Sequence, residues 1–382
     1  MNDSPVENIL IIGGGIIGLS IARELHKRGV RRITILDKSI CGQEASWAAG
    51  GMLGPQAEAD EAGFFFDVCS ASRNLYPGFA AELLDETGID VEPDRSGTLY
   101  LAFTDEDVRE IRERYNWQRA AGMTVEHWSA DEARCAEPFV SPDVREALFF
   151  PDDWQVENRK LLAALKRYAE INGIDIRENT QIERLTVDNG IVIGAETDQE
   201  TFTADTTVLA TGAWTSLIKL GIAEMPFKVE PVRGQIATFQ TAKRLFQRVI
   251  YSPRGYIVPR ADGRVLAGST SERVGFDKSL TESAAAHLRE MSSEIAPSTA
   301  GLPTVDHWSG LRPVSLDKMP VIGRISGIDG LYIATAHYRN GILLAPWTAK
   351  TVAEGLIYDA RSADLDAFAP DRFRLRGVGT GS

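Results

Sequence analysis

Hydrophobic positions along the chain fall into runs of different period, and these runs predict its elements. Ile9-Leu-Ile-Ile12 is a short continuous apolar run of the kind buried in a parallel sheet, and Leu19, Ala22 and Leu25 after it share one helical face. Past the turn at Gly29, Arg32-Ile-Thr-Ile-Leu36 predicts a second strand. Phe65, Val68, Ser72, Leu75 and Phe79 recur about every 3.6 residues, which predicts a helix over 64–84. Leu161, Leu165, Tyr168 and Ala169 do the same over 157–171, where Gly173 ends the helix. Residues 206–210 and 330–335 are further buried runs, and the second leads into a helix over 342–357 with Pro346 in its first turn.

Non-helical runs gather in two other regions. One is 97–103; the other comprises 229–239, 249–251, 255–260 and 264–268, with Asp262-Gly263 as a hairpin turn. Thr104-Asp-Glu-Asp107 and Ser129-Ala-Asp-Glu132 read as helix starts, the second as a capping box. A separate hairpin is predicted where 182–187 and 191–195 flank Asp188-Asn-Gly190. The predicted organisation is discontinuous, as a chain of 382 residues is too long for one ordinary core. Residues 1–92, 151–225 and 306–370 form a nucleotide-binding domain, 93–150 and 226–305 form a substrate domain built on an antiparallel sheet, and 371–382 form a disordered tail.

Charge narrows the partners. A formal net charge of −13 without a basic cluster argues against nucleic acid and anionic membrane surfaces. The acidic, polar start is not a signal peptide and no apolar run reaches a membrane span, so a cytoplasmic protein is expected. Cys41, Cys69 and Cys135 make no C-x-x-C pair and read as reduced thiols. The five histidines are dispersed, so no metal site is expected.

The chemistry begins at Gly13-Gly14-Gly15-Ile16-Ile17-Gly18, between the first strand and its helix. Gly13 permits a tight turn, Gly15 lets the backbone approach a pyrophosphate, Gly18 allows helix and strand to pack closely, and the helix N-terminus offers N–H donors. The second strand ends on Asp37, 19 residues past Gly18, where an acid accepts from ribose hydroxyls and repels a 2'-phosphate. This unit predicts a dinucleotide and leaves NAD or FAD open. Two stretches of small residues, Ser46-Trp-Ala-Ala-Gly-Gly51-Met52-Leu-Gly54 and Ala210-Thr211-Gly212-Ala-Trp214, can bring backbone against such a ligand or serve as plain loops.

Taken in order, these motifs, with Trp308-Ser-Gly-Leu-Arg312-Pro313 and His337-Tyr-Arg339-Asn340-Gly341-Ile342-Leu343-Leu-Ala-Pro346, resemble the D-amino-acid oxidase family of FAD proteins over nearly the whole chain. The resemblance is strongest to bacterial members that oxidise glycine in thiamin biosynthesis. It implies an α/β plus α+β fold, a glutathione-reductase-like FAD-binding Rossmann domain beside the antiparallel-sheet substrate domain. It also implies non-covalent FAD, because relatives that attach the flavin use a late cysteine and none follows Cys135. By resemblance, Gly13, Gly15, Ile16, Ile17 and Gly18 meet the pyrophosphate; Asp37 and Lys38 meet the adenosine end; Ser46, Ala48, Ala49, Gly51 and Met52 run toward the ring; Ile182 meets the adenine; Thr211, Gly212 and Trp214 lie alongside; and Arg339, Asn340, Gly341, Ile342 and Leu343 meet the flavin's pyrimidine side. Arg312 matches the arginine that holds the substrate carboxylate, with Tyr256 beside it. A planar guanidinium makes a bidentate pair with a carboxylate that lysine cannot copy.

A single dinucleotide motif leaves no site for a nicotinamide reductant, so electrons are expected from an amine bound against the flavin and oxygen is the expected acceptor. No His or Glu stands out as a general base. Arg254 and Ser271 are expected to help set pocket volume and specificity. The leading reading is oxidative deamination of glycine or a small amino acid, with a homo-oligomer and a thiazole synthase partner implied by the resemblance. The alternatives are oxidation of larger D-amino acids or N-methyl amines, and a flavin-bound module that serves a partner enzyme.

Overall fold

A computed structural model of the chain describes residues 7–358 and 363–375. The strand Asn8–Ile12 sits inside a six-stranded sheet and pairs in parallel with Arg32–Leu36 on one side and Thr206–Leu209 on the other. Leu331–Thr335 extends the sheet in parallel, Val321–Gly323 closes that edge antiparallel, and Asp175–Arg177 closes the other. Successive side chains of a strand point to opposite faces, and the two faces here are covered differently. Ile9 and Ile11 pack under the helices Ile16–Lys27, Phe64–Thr87, Asn158–Ile171 and Gly341–Ile357. Leu10 and Ile12 pack against Leu185, Val192 and Ala195 from a small three-stranded sheet. Its first two strands, Arg184–Asp188 and Ile191–Glu196, turn on Asn189 and Gly190, both at positive φ, as the sequence predicts for that hairpin. The third strand, Thr201–Thr203, is short and polar and carried no usable period.

The second large sheet has eight strands. Glu230–Gln240 lies between Thr304–Val314 and Arg264–Gly268, and the order continues through Gly255–Pro259 and Val249–Ser252 to Thr98–Ala102, Glu146–Phe150 and Glu126–Ser129. All its pairs are antiparallel except one. Thr98–Tyr100 runs parallel to Val249–Tyr251, at the junction where two distant pieces of chain meet. On one face Ala237, Phe239, Ile257 and Ala267 pack against Leu288, Met291 and Ile295 of the helix Glu282–Ile295; on the other, Ile236, Val258, Leu266 and Trp308 face Ala48. Both predicted helix starts carry full capping boxes, Thr104 with Asp107 and Ser129 with Glu132.

Three expectations need adjustment. Thr304–Val314 belongs to the eight-stranded sheet, so the chain leaves that sheet after Val314 and not at 306. The segment Arg372–Leu375, expected in a disordered tail, is a helical turn: Arg372 pairs with both oxygens of Asp317 at 2.9 and 3.0 Å, and Phe373 is buried beside Phe227. Residues 376–382, the rest of that tail, lie outside the described residues. Finally, Pro346 sits in the second turn of Gly341–Ile357, where its missing N–H leaves the carbonyl of Ile342 without a helical donor. The buried Tyr76 hydroxyl donates to that carbonyl, and Ser72 Oγ donates to the next, Leu343 O, at 2.6 Å.

Tyr76→Phe should therefore strand a buried carbonyl and lower unfolding stability by about 1–3 kcal/mol. Denaturant unfolding of the two proteins with equal cofactor content checks this, and equal midpoints would show the hydroxyl to be dispensable.

Candidate active site

One long cleft, about 420 Å³ in volume, runs between the two large sheets. At one end the glycine turn is fixed by close contacts that only hydrogen permits. Gly13 has φ +107°, and a Cβ there would lie 2.4 Å from Ala210 O. One on Gly18 would lie 1.9 Å from Gly13 O, so Gly18 serves helix packing and is not on the cleft wall. Ser46 Oγ accepts from Ile16 N at 3.0 Å and so caps the helix that starts after Gly15. Asp37 Oδ2 accepts from Gly14 N at 2.8 Å and Oδ1 from Ser39 N at 2.9 Å, which orients the acid at the cleft wall. Lys38 Nζ lies 3.6 Å from the centre of the Trp214 ring; burial lowers its pKa, partly offset by Glu44.

The middle of the cleft is the small-residue run, and side chains from elsewhere hold its carbonyls. Asn158 Nδ2 donates to Ser46 O at 2.8 Å and to Trp47 O at 3.0 Å, Trp308 Nε1 to Ala48 O at 3.1 Å, and Arg260 Nη2 to Gly50 O at 2.9 Å. Arg260 also donates to Val156 O at 2.8 Å and Gln155 Oε1 at 3.0 Å, and the equally buried Glu157 balances its charge at 3.4 Å. A Cβ on Gly51 would lie 2.2 Å from Val156 O. The run is thus a pinned wall, a role its composition alone leaves open.

At the far end, Tyr256 and Arg312 come from two strands of the eight-stranded sheet, Gly255–Pro259 and Thr304–Val314, that are separated by Arg264–Gly268 and Glu230–Gln240. Arg312 donates to Thr270 O at 3.1 Å and Ser269 Oγ at 2.6 Å, which fixes the plane of its guanidinium. The group occupies the space above Gly234, where a Cβ would come within 2.1 Å of Nη1, and the Tyr256 ring likewise covers Gly268 at 2.5 Å. Tyr251 stacks on Tyr256 with ring centroids 6.2 Å apart. Arg339 and Glu58 complete this end.

Of the residues singled out in the sequence, Gly13, Gly15, Ile16, Ile17, Asp37, Lys38, Ser46, Ala48, Ala49, Gly51, Met52, Ile182, Thr211, Gly212, Trp214, Tyr256, Arg312, Arg339, Gly341 and Ile342 line this one cleft. Gly18, Asn340 and Leu343 do not; the Leu343 side chain is in the core. Ser271 is exposed and off the cleft, and Ser269 takes the lining position, because the chain leaves its strand at Gly268. Arg254 lines the cleft but pairs with Glu294 at 3.0 Å and lies over Phe103. Sequence reasoning missed Glu58, Arg260, Gly234 and Gly268. Glu58 is one of three acids, with Asp60 and Glu61, soon after Gly54-Pro55, and nothing in the sequence singles it out. His337 also lines the cleft: it is buried, bonded to Thr348 Oγ1 at 3.0 Å, and burial depresses its pKa to about 3. Among the described residues no cluster of His, Cys, Asp and Glu is arranged to hold a metal ion.

A cleft lined by N-terminal residues of two long helices, with an acid at one end and a guanidinium at the other, suits an elongated anionic ligand plus a small carboxylate. Comparison with known proteins points the same way. The family described as FAD dependent oxidoreductase (DAO) matches residues 8–355. The glycine oxidase of Pseudomonas aeruginosa is 34% identical over 354 residues, 91% of this chain and 94% of that protein. The bifunctional protein ThiO/ThiG of Synechocystis sp. is 35% identical over 96% of this chain, which spans 54% of that protein's length. The crystal structure of glycine oxidase from Bacillus cereus superposes with a TM-score of 0.89 at 31% identity, covering 94% of this chain and 97% of that one.

Two outcomes follow from the geometry. Gly234→Ala forces the Arg312 guanidinium to shift, so affinity for acetate, measured by calorimetric titration, should fall by about tenfold or more; unchanged affinity would place the carboxylate elsewhere. His337 is held neutral when folded but has an ordinary pKa of 6.5 when unfolded, so protons favour the unfolded chain below about pH 6.5. Its contribution to stability should fall by up to about 1.4 kcal/mol per pH unit from there toward pH 3. The difference in unfolding free energy between wild type and His337→Gln reads this slope; a pH-independent difference would contradict it.

Proposed function

The chain belongs to the DAO family of FAD dependent oxidoreductases and its cofactor is FAD; from this premise we propose that it oxidises glycine or another small amino acid. The observation that carries the reading is the placement of Arg312 and Tyr256 in the same cleft as the glycine turn and Asp37. Oxidases of glycine among its relatives support the choice of substrate.

The residues present fit FAD. Gly13 and Gly15 give the pyrophosphate a side-chain-free approach to the helix N-terminus, with Ile16 and Ile17 behind, and Gly18 keeps that helix on its strand. Asp37 with Lys38 receives the adenosine ribose, Ile182 the adenine, and Thr211, Gly212 and Trp214 flank them. Ser46, Ala48, Ala49, Gly51 and Met52 line the way to the ring, and Arg339, Gly341 and Ile342 border its pyrimidine side, with Asn340 and Leu343 acting through the backbone. The positive end of Gly341–Ile357 favours negative charge there. The family resemblance implies non-covalent attachment, in keeping with the lack of a cysteine after Cys135. Of the described residues, the FAD domain takes those in 7–92, 151–225 and 315–375, and the substrate domain 93–150 and 226–314.

Arg312 takes the substrate carboxylate as a fork, and Tyr256 closes over it, so the alpha carbon is held at one distance and orientation. When bound, FAD would supply the two-electron acceptor for the substrate's hydride, with O2 as the final acceptor of those electrons and two protons, giving hydrogen peroxide. The substrate, having lost a hydride from carbon and a proton from nitrogen, is an imine, and water converts it to glyoxylate and ammonia. Fusion in the Synechocystis ThiO/ThiG protein supports delivery of that imine to thiazole synthesis for thiamin, with a thiazole synthase as partner. Among the described residues no helix is long and apolar enough to cross a membrane, in keeping with a cytoplasmic enzyme. The family resemblance supports a homo-oligomer, which sedimentation would test.

Acid precipitation should release all the flavin as FAD. Mixed without oxygen, glycine should bleach the flavin, and with oxygen it should yield peroxide and ammonia without nicotinamide cofactor. Arg312→Ala should retain FAD but lose about two to four powers of ten in kcat/KM, as a buried charge loses its partner. A flavin reduced by NADPH and by no amine would overturn the activity.

A further inference from the structure

The Arg312 end of the cleft carries three guanidiniums, Arg312, Arg339 and Arg254, the last paired with Glu294 at 3.0 Å, and one carboxylate on its wall, Glu58; the other acids on the cleft wall, Asp37 and Glu44, belong to the glycine-turn end. Glu58 ends a single helical turn, Pro55–Glu58, and the protein holds that turn with buried charge on both sides. Asp153, wholly buried, accepts from Gln56 N at 3.2 Å and Ala57 N at 2.8 Å, and Arg73 steadies it at 3.4 Å. Arg114, also buried, donates to Gln56 O at 3.2 Å and to Ala59 O just beyond Glu58. So short a helix cannot set its own orientation. Its last side chain is therefore aimed by Asp153 and Arg114.

Resting on the amino-acid reading above, we propose that Glu58 is the second anchor of the substrate, accepting N–H bonds from its amino group while Arg312 holds the carboxylate. A zwitterion placed between two guanidiniums satisfies its carboxylate and leaves its ammonium repelled; one acid at the same end reverses that balance. Among the described residues no side-chain hydrogen bond or salt bridge already occupies the Glu58 carboxylate. Burial pushes this carboxyl above the ordinary range against the pull of Arg339 and Arg312, so it gains from a cationic partner. Tyr251 and Cys69 are its other titratable neighbours, and burial raises the pKa of both. The arrangement selects alpha-amino acids over carboxylates that lack the amine, such as a 2-hydroxy acid.

The test uses FAD-loaded protein and two probes: the glycine concentration that half-saturates anaerobic flavin reduction, and acetate binding to oxidised protein, read from the FAD spectrum. Glu58→Gln, of equal size, should raise the glycine value by about tenfold or more while acetate binds as well as before or better. Glu58→Asp, which keeps the charge on a shorter stem, should fall between, and carries the same two readouts if the Gln variant loses FAD. Unchanged glycine saturation would overturn the proposal. So would parallel loss of glycine and acetate, which would mark Glu58 as structural. Wild-type flavin that glycine never reduces would instead count against the activity itself, before any variant is made.

Discussion

The cleft depends on the buried guanidinium of Arg260. It reaches from the eight-stranded sheet to the carbonyls of Gly50 and Val156, and so ties the substrate sheet to the small-residue run and to the strand beside it. An isolated charge at that depth would be strongly unfavourable, and Glu157, itself 3% exposed in its side chain, offsets it. Glu157 is also the N-cap of Asn158–Ile171, whose first residue pins Ser46 and Trp47. One ion pair therefore sets the wall and the helix behind it together. The wall keeps its shape because its carbonyls already have donors, which leaves its small side chains as the surface a planar ring can lie against.

From that wall the two ends acquire opposite tasks. The glycine-turn end offers the positive end of a helix behind side-chain-free glycines and an acid oriented by Gly14 N, which suits a phosphate and a ribose. The Arg312 end offers fixed cations, two stacked tyrosines and one aimed acid, which suits a small zwitterion. Catalysis by such a site is chiefly placement: the carboxylate and amine fix the alpha carbon, and the cofactor carries the redox chemistry. That explains why the absence of a basic histidine is no obstacle. His337 on the wall is held neutral and bonded to Thr348.

Much of this was legible in the sequence because local rules governed it. The glycine turn, Asp37, the helix starts at Thr104 and Ser129, and the Asn189-Gly190 hairpin are each signalled by short stretches of chain, and each forms as the pattern implies. What was not legible depends on distant partners. Arg260 reads as a charged strand end until Glu157 and Gly50 are placed around it, and Gly234 reads as a strand glycine until Arg312 fills its space from the neighbouring strand. Pro346 was placed a turn too early because Tyr76 compensates for it from another helix. The strand Thr304–Val314 was missed as an element because its start is polar and exposed and only its second half is buried.

FAD and an amino acid sharing this cleft would let a hydride leave the alpha carbon held between the anchors. Anaerobic flavin reduction by glycine carrying deuterium at the alpha carbon, compared with ordinary glycine, tests it most directly. Both should bleach the flavin, the deuterated substrate more slowly. Flavin that glycine leaves fully oxidised would contradict it.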